Sequence, residues 1–399
     1  MTSTIRDAYR YDFLLHATVP VADDWGFKPP SPENIPLDPE LLCMELESLR
    51  NTGAWQESTE RLMRLKCLNY ELAMREWHGK IDRANARPIS VQINRDDHCN
   101  LKCVYCRPVG TLFPGLKTMP RDKWLALTNL LLPSAIEFLP FCWGEPLLPS
   151  AEFDLACHAS QQYMVQMAII THLNTLDEKN ANLFVNHVSR ALISVDTPNH
   201  NRYRELRHGG KLDTVERNVA KLHSLARTLE KPMPYLGVSA VIMKQNLTEL
   251  PALIRWAADQ GIQGVYAGRL VAPDGIRTWA SGELVDLTSN IYHHVYLECK
   301  LEAKRLGIEL CMFDPDNPIG NGRMCPCPWQ HAYISSDGAL SFCNFSREIV
   351  LDNEPLTKDY WVTGKIDERR KIWDNDFRCA GCQSTDYDGR PGVSQFRGQ

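Results

Sequence analysis

With 399 residues, the chain is long enough for two or three domains, each able to bury a sizeable core. Hydrophobic residues make up 44% and charged residues 23%, ordinary for a globular protein, and a formal net charge of -5 gives no electrostatic ground for a nucleic-acid or anionic-membrane partner. No apolar run reaches the roughly 20 residues that span a bilayer, and the N-terminus lacks the basic region and cleavage site of a secretory signal, so the expected location is the cytoplasm.

In chain order, residues 19–39 are dense in proline and read as an extended connector. A helix is expected at "LDPELLCMELESL", with Asp38 as N-cap, Pro39 in the first turn, Leu42, Leu46 and Leu49 on one face, and Gly53 at its end. A longer helix is expected over 58–78, where Leu62, Leu65, Leu68 and Leu72 recur at helical spacing. Residues 1–88 thus read as a mostly helical N-terminal extension.

From residue 89 short apolar runs alternate with amphipathic segments. Strands are expected at 89–94, 135–141, 166–170, 191–196, 235–243 and 264–271, with helices such as "RDKWLALTNLLL" and "LDTVERNVAKLHSLART" between them. Apolar strands each followed by a helix imply an α/β fold with a parallel sheet, here a partial (β/α)6 TIM-like barrel over 89–314. Residues 315–399 form the third region, a small cysteine-rich domain. In it "CPCPWQHAYISSDGALSFCNF" reads as a β-hairpin around "SSDGA", and the "DERRK" of "KIDERRKIW" reads as a solvated helix face.

Fourteen cysteines in a reducing compartment point to metal rather than disulfides. Six of them (Cys43, Cys67, Cys142, Cys157, Cys299 and Cys311) are scattered and read as small buried hydrophobes. The others form two clusters. Cys99, Cys103 and Cys106 lie in a C-x3-C-x2-C loop directly after the first expected strand. Three thiolates on one loop can hold three irons of a 4Fe–4S cube and leave the fourth iron open, the arrangement a catalytic metal needs. The alternative is a zinc knuckle borrowing His98, which is poorly placed beside Cys99 to complete a tetrahedron.

With its aromatic residue Tyr105, this loop resembles the C-x3-C-x-aromatic-C hallmark of the radical S-adenosylmethionine (SAM) enzymes. The resemblance implies that Cys99, Cys103 and Cys106 ligate a 4Fe–4S cluster whose open iron binds the amino and carboxylate groups of SAM. It also implies that one electron cleaves SAM to a 5′-deoxyadenosyl radical that abstracts hydrogen from substrate. "FCWGEPLL" resembles the family's GGEP element, with Gly144 and Glu145 meeting the SAM amino group and Trp143 replacing the first glycine. "ISVDTPNHNRYRELRHGG" resembles the fourth strand and its loop. There the resemblance places Ser194 and Arg207 at the SAM carboxylate or ribose, with Asp196 and Tyr203 at recurring positions. The alternative for Arg207 is a capping residue on a solvated face, and Asn246 reads as a cap. "THLN" departs from the usual Thr-Asn-Gly, with His172 in place of asparagine, and carries no assigned role.

Further on, Cys325-x2-Pro328-Trp329, Cys343, and Cys379-x2-Cys382 resemble the SPASM/twitch domain. The resemblance implies one auxiliary 4Fe–4S cluster held by Cys325, Cys343, Cys379 and Cys382, with Cys327 as the alternative to Cys325 and a four-cysteine zinc site as the competing metal. The family resemblance covers roughly residues 89–385. It implies a small-molecule or peptide substrate and an electron donor such as flavodoxin or ferredoxin. The twitch likeness suggests oxidation of a sugar-like or aminocyclitol metabolite. Peptide maturation and epimerisation, the latter with Cys142 as hydrogen donor, are alternatives, and a non-catalytic iron–sulfur or zinc protein is a distant one. No catalytic base is assigned.

Overall fold

The computed structural model describes residues 44, 48, 59–79, 81, 84–106, 117–141, 144–149, 152–270, 282–316 and 327–341. The proline-rich connector, most of the first expected helix, "KIDERRKIW", Cys142, Trp143, Cys325, Cys343, Cys379 and Cys382 lie outside the described residues.

Helix α1 (Thr59–His78) falls where the leucine periodicity places it, and Leu62, Leu65, Leu68 and Leu72 are all buried. It shares one core with the barrel. The fully buried Lys66 donates to the carbonyls of Leu132 (2.9 Å) and Ala135, closing the end of helix α2 (Arg121–Leu131). Burial holds the Lys66 ammonium well below the ordinary lysine range.

The six expected strands are β1 (Ser90–Ile93), β3 (Glu137–Leu139), β4 (Gln166–Thr171), β5 (Val188–Ser194), β7 (Tyr235–Ile242) and β8 (Gly264–Arg269). The helices between them include α3 (Phe153–Gln162), α4 (Glu178–His187), α5 (His200–Leu206), α6 (Leu212–Thr228) and α7 (Leu250–Asp259). Helix α8 (Asn290–Leu306) and strand β9 (Glu309–Met312) add one more unit. Strand β9 escapes the sequence reading because it is a half-buried edge strand and shows neither alternation nor a long apolar run.

After the short helix α9 (Cys327–Gln330), strands β10 (His331–Ile334) and β11 (Leu340–Ser341) form the expected hairpin. Strand β10 also pairs in parallel with β1, matching Ser90 to His331 and Ile93 to Ile334. Among the described residues the sheet order is β11-β10-β1-β3-β4-β5-β7-β8-β9, parallel except at the hairpin. The order runs from edge to edge without closing, which is a partial TIM-like barrel.

Polar side chains fill the barrel near the N-terminal ends of the strands. Tyr235 Oη lies 2.8 Å from both Tyr266 Oη and Glu309 Oε2, while Ser90 donates to Glu137 (2.9 Å), which also pairs with Arg190. Gly237 and Gly264 make room for the two tyrosines: a Cβ on Gly264 would stand 2.2 Å from Tyr235 Oη, and one on Gly237 would stand 2.8 Å from the Tyr266 ring. With this end filled, function falls to the C-terminal ends of the strands.

Candidate active site

The three-cysteine loop leaves the C-terminal end of β1 and is held by a small second sheet. Strands β2 (Lys102–Cys103) and β6 (Arg207–His208) pair antiparallel, matching Cys103 to Arg207, and Val104 N donates to Leu206 O (2.9 Å). The side chains strengthen this tie. Asp196, fully buried just beyond β5, accepts from Tyr105 Oη (2.7 Å) and Arg207 Nε (2.8 Å) on one oxygen and from Val241 N (2.9 Å) on the other. The Arg207 guanidinium also sits 5.4 Å from the centre of the Tyr105 ring, and its NH1 is 3.8 Å from Cys103 Sγ. Burial pushes the Cys103 thiol up, and the Arg207 charge pulls it back toward the thiolate. Burial also holds the Tyr105 phenol well above its usual value, so it stays protonated and donates.

Arg207 is therefore a buried ion-pair partner and not a cap on a solvated face. Asn246, also fully buried, occupies the expected N-cap position of the short turn that follows it, but its side chain makes no capping hydrogen bond there. Its Nδ2 donates to Asp196 O and Val241 O (both 2.9 Å), and its Oδ1 accepts from Met243 N (2.8 Å), locking the ends of β5 and β7 together. Ser194, the last residue of β5, is half-buried and stands opposite Ser239 of β7.

Across the loop, Gly144 and Glu145 pack against the entry to the cysteines. Glu145 N donates to His98 O (2.8 Å), and a Cβ on Gly144 would stand 2.4 Å from Asp96 O and 2.8 Å from His98 O. No side chain fits there. The buried Glu145 carboxylate accepts from Thr171 Oγ1 (2.5 Å), His172 N (2.9 Å) and Leu147 N (3.1 Å). Burial nonetheless pushes its pKa up to about 7 against the pull of these donors and of Arg207.

His172 belongs to this assembly. Its Nδ1 accepts from Asn174 N (2.9 Å), so Nε2 carries the proton toward Asn100 Oδ1 (2.8 Å) and Glu145 Oε2 (3.2 Å). Burial first, and Arg207 second, lower its pKa to about 3, so the ring is neutral. The next residue, Leu173, has φ +51°, a left-handed backbone where the usual Thr-Asn-Gly pattern carries glycine. The sequence signal for His172 was its place one residue past the end of β4.

The ring of His98 bonds Asp96, which leaves it poorly disposed as a fourth ligand. Among the described residues no three His, Cys, Asp or Glu side chains converge as a metal site, so the cysteines share a loop without their sulfurs being gathered. The donor set still fits an iron–sulfur group: three cysteines on one loop, a buried guanidinium beside one sulfur, and a side-chain-free cradle at Gly144. Cys327 is buried with Trp77, Ala84 and Trp329, whose indole donates to Ile81 O (2.8 Å).

The class of architecture these elements define is a partial α/β barrel with a three-cysteine loop at the C-terminal ends of its strands. Residues 93–257 match the radical SAM superfamily model. Its cofactors are accordingly a 4Fe–4S cluster and SAM. The chain is 26% identical to the GTP 3′,8-cyclase of Listeria monocytogenes serovar 1/2a over 176 residues, 43% of this chain and 51% of that protein. It therefore matches about half the length of such curated relatives. With the GTP 3′,8-cyclase of Limosilactobacillus fermentum the identity is 25% over 312 residues, 75% of this chain and 87% of that protein. Among solved structures, anSMEcpe with bound AdoMet and Cp18Cys peptide shares the fold at a TM-score of 0.56 and 15% identity, covering 77% of this chain and 93% of that one. Streptococcus suis SuiB bound to its precursor peptide SuiA does so at 0.53 and 14%, covering 86% and 80%. No described helix is long and apolar enough to cross a membrane.

Proposed function

We propose that this radical SAM enzyme abstracts hydrogen from a C–H bond of a substrate held at the mouth of the barrel. The observation that carries this reading is the tie of the buried Asp196 and Arg207 to the half-buried Tyr105, which fixes the three-cysteine loop across the barrel mouth from Glu145. Cys99, Cys103 and Cys106 would hold the cluster; Glu145 and the backbone at Gly144 would receive the SAM amino group; Ser194 and Arg207 would face its carboxylate or ribose. When bound, cluster and SAM together supply a carbon radical. The chain's own part is to orient and to exclude water. Asp196 spends its acceptors on Tyr105, Arg207 and Val241, which holds the loop rigid. Glu145 in its ionised form offers an anion to an ammonium, in a setting where burial strengthens the attraction.

For substrate, we keep oxidation of a sugar-like or aminocyclitol metabolite, with an auxiliary 4Fe–4S cluster on Cys325, Cys343, Cys379 and Cys382. The apolar packing of Cys327 favours Cys325 as the ligand. A second reading, favoured by the matched relatives, is a nucleotide such as GTP. An electron donor of the flavodoxin or ferredoxin type completes the scheme. Iron counting on a Cys99/Cys103/Cys106 triple alanine variant tests the second site. About four irons per chain should remain, and zinc in their place refutes it. Reconstituted enzyme offered an aminocyclitol and GTP in parallel separates the substrates by which one raises 5′-deoxyadenosine release.

A further inference from the structure

The "SSDG" turn between β10 and β11 has no part in the function so far, although it lies against the first cysteine loop. Ser336 Oγ donates to Asp97 Oδ2 (2.6 Å), a contact across 239 residues of sequence. Asp337 Oδ2 pairs with Lys117 Nζ (3.0 Å), and Asp337 O accepts from Lys123 Nζ (3.0 Å). Lys117 in turn accepts from Asp97 N at its own carbonyl (3.1 Å), and Asn94 also bonds the Asp97 carboxylate. Gly338 keeps the turn tight: its φ is +91°, and a Cβ there would stand 2.1 Å from Lys123 Nζ.

Asp97 stands two residues before Cys99. Its neighbours Asp96 and His98 present the two carbonyls on which Gly144 and Glu145 pack. The hairpin turn thus grips one side of a five-residue stretch, 94–98, whose other side carries the GEP element and whose end leads into the cysteines. A displacement of Asp97 reaches both at once.

We infer that Ser336 and Asp337, far away in the C-terminal region, are positioning residues for the SAM site, acting through Asp97 and Lys117 on the backbone of 96–98. The inference rests on the reading of Cys99, Cys103, Cys106 and Glu145 given above. It means that seating of the C-terminal hairpin against β1 and the geometry of the three-cysteine loop are coupled.

The test uses the full chain, reconstituted anaerobically and reduced, with SAM affinity from equilibrium dialysis and the electron paramagnetic resonance spectrum of the cluster with and without SAM. Ser336→Ala should weaken SAM binding about tenfold, the scale of one hydrogen bond to a charged group. It should also alter the spectrum of the SAM-bound cluster, and Ser336→Thr, which keeps the hydroxyl, should restore both. A lower melting temperature with wild-type affinity and spectrum would overturn the inference, since that is what a purely structural contact gives. Should Ser336→Ala fail to fold, Lys117→Met decides: weaker binding with an altered spectrum supports the coupling, and wild-type values overturn it. A wild-type chain that binds neither cluster nor SAM would instead refute the underlying reading, and the inference with it.

Discussion

Replacing Asp196 by asparagine probes the tie that holds the cysteine loop. The carboxylate is fully buried, and both of its oxygens accept: one from Tyr105 Oη and Arg207 Nε, the other from Val241 N. An asparagine of the same shape must turn its NH2 either toward Val241 N–H or toward the Tyr105 and Arg207 donors, so at least one donor faces another donor. It also leaves the buried Arg207 guanidinium without its counter-charge. Breaking a buried ion pair costs about 3–5 kcal/mol, and with a dipolar amide still in place we expect about 2–3 kcal/mol. Anaerobic urea unfolding of the apoprotein should show a lower midpoint at unchanged slope. Amide exchange at Val104, bonded to Leu206 O, should accelerate. A change in stability below about 0.5 kcal/mol with unchanged exchange would mean that Asp196 does not hold the loop.

Three further outcomes follow from the same geometry. Gly144→Ala forces a methyl to 2.4 Å from the Asp96 carbonyl, a backbone atom that cannot swing aside. Thermal melts should show an overpacking cost of about 1–3 kcal/mol, and SAM binding should be lost; wild-type binding would show that the cradle is not needed. Glu145, with its pKa pushed up to about 7, is ionised above that pH and protonated below it. Because an ammonium needs the carboxylate, SAM affinity should fall about tenfold per pH unit below the pKa, and Glu145→Gln should bind weakly with no such slope. A flat wild-type profile between pH 5.5 and 8, chosen as about a unit or more on either side of that pKa, contradicts the role. His172→Phe leaves Asn100 Oδ1 and Asn174 N–H without their ring partner, for a loss of about 2 kcal/mol and weaker SAM binding. His172→Asn, which keeps a donor, should recover part of each in denaturation and dialysis, and an unperturbed phenylalanine variant rules the histidine out.

The barrel was legible because each central strand is buried on both faces and reads as an uninterrupted apolar run, such as "YLGVSAVI", between amphipathic helices. The three-cysteine loop was legible from its spacing together with the resemblance of "HCNLKCVYC" and "WGEP" to family elements. What stayed hidden was non-local or polar. Nothing in "HAYI" says that it will pair with "SVQI" 241 residues earlier, so the hairpin was foreseen without its place on the β1 edge. Arg207 lies in a run, "RYRELRHGG", that reads as solvated, and only the fold shows Asp196 waiting for it beneath Tyr105. His172 departs from the family pattern, and its value depends on Asn100 and Glu145, residues brought to it by two other strands.

The radical chemistry stands on Cys99, Cys103 and Cys106 forming a catalytic site open to SAM. Its most direct test is release of 5′-deoxyadenosine by the reconstituted, reduced chain under anaerobic conditions. The wild-type chain should release it from SAM, and the triple alanine variant at these positions should not. Intact clusters in the wild type with no 5′-deoxyadenosine, or equal release from the variant, would contradict the claim.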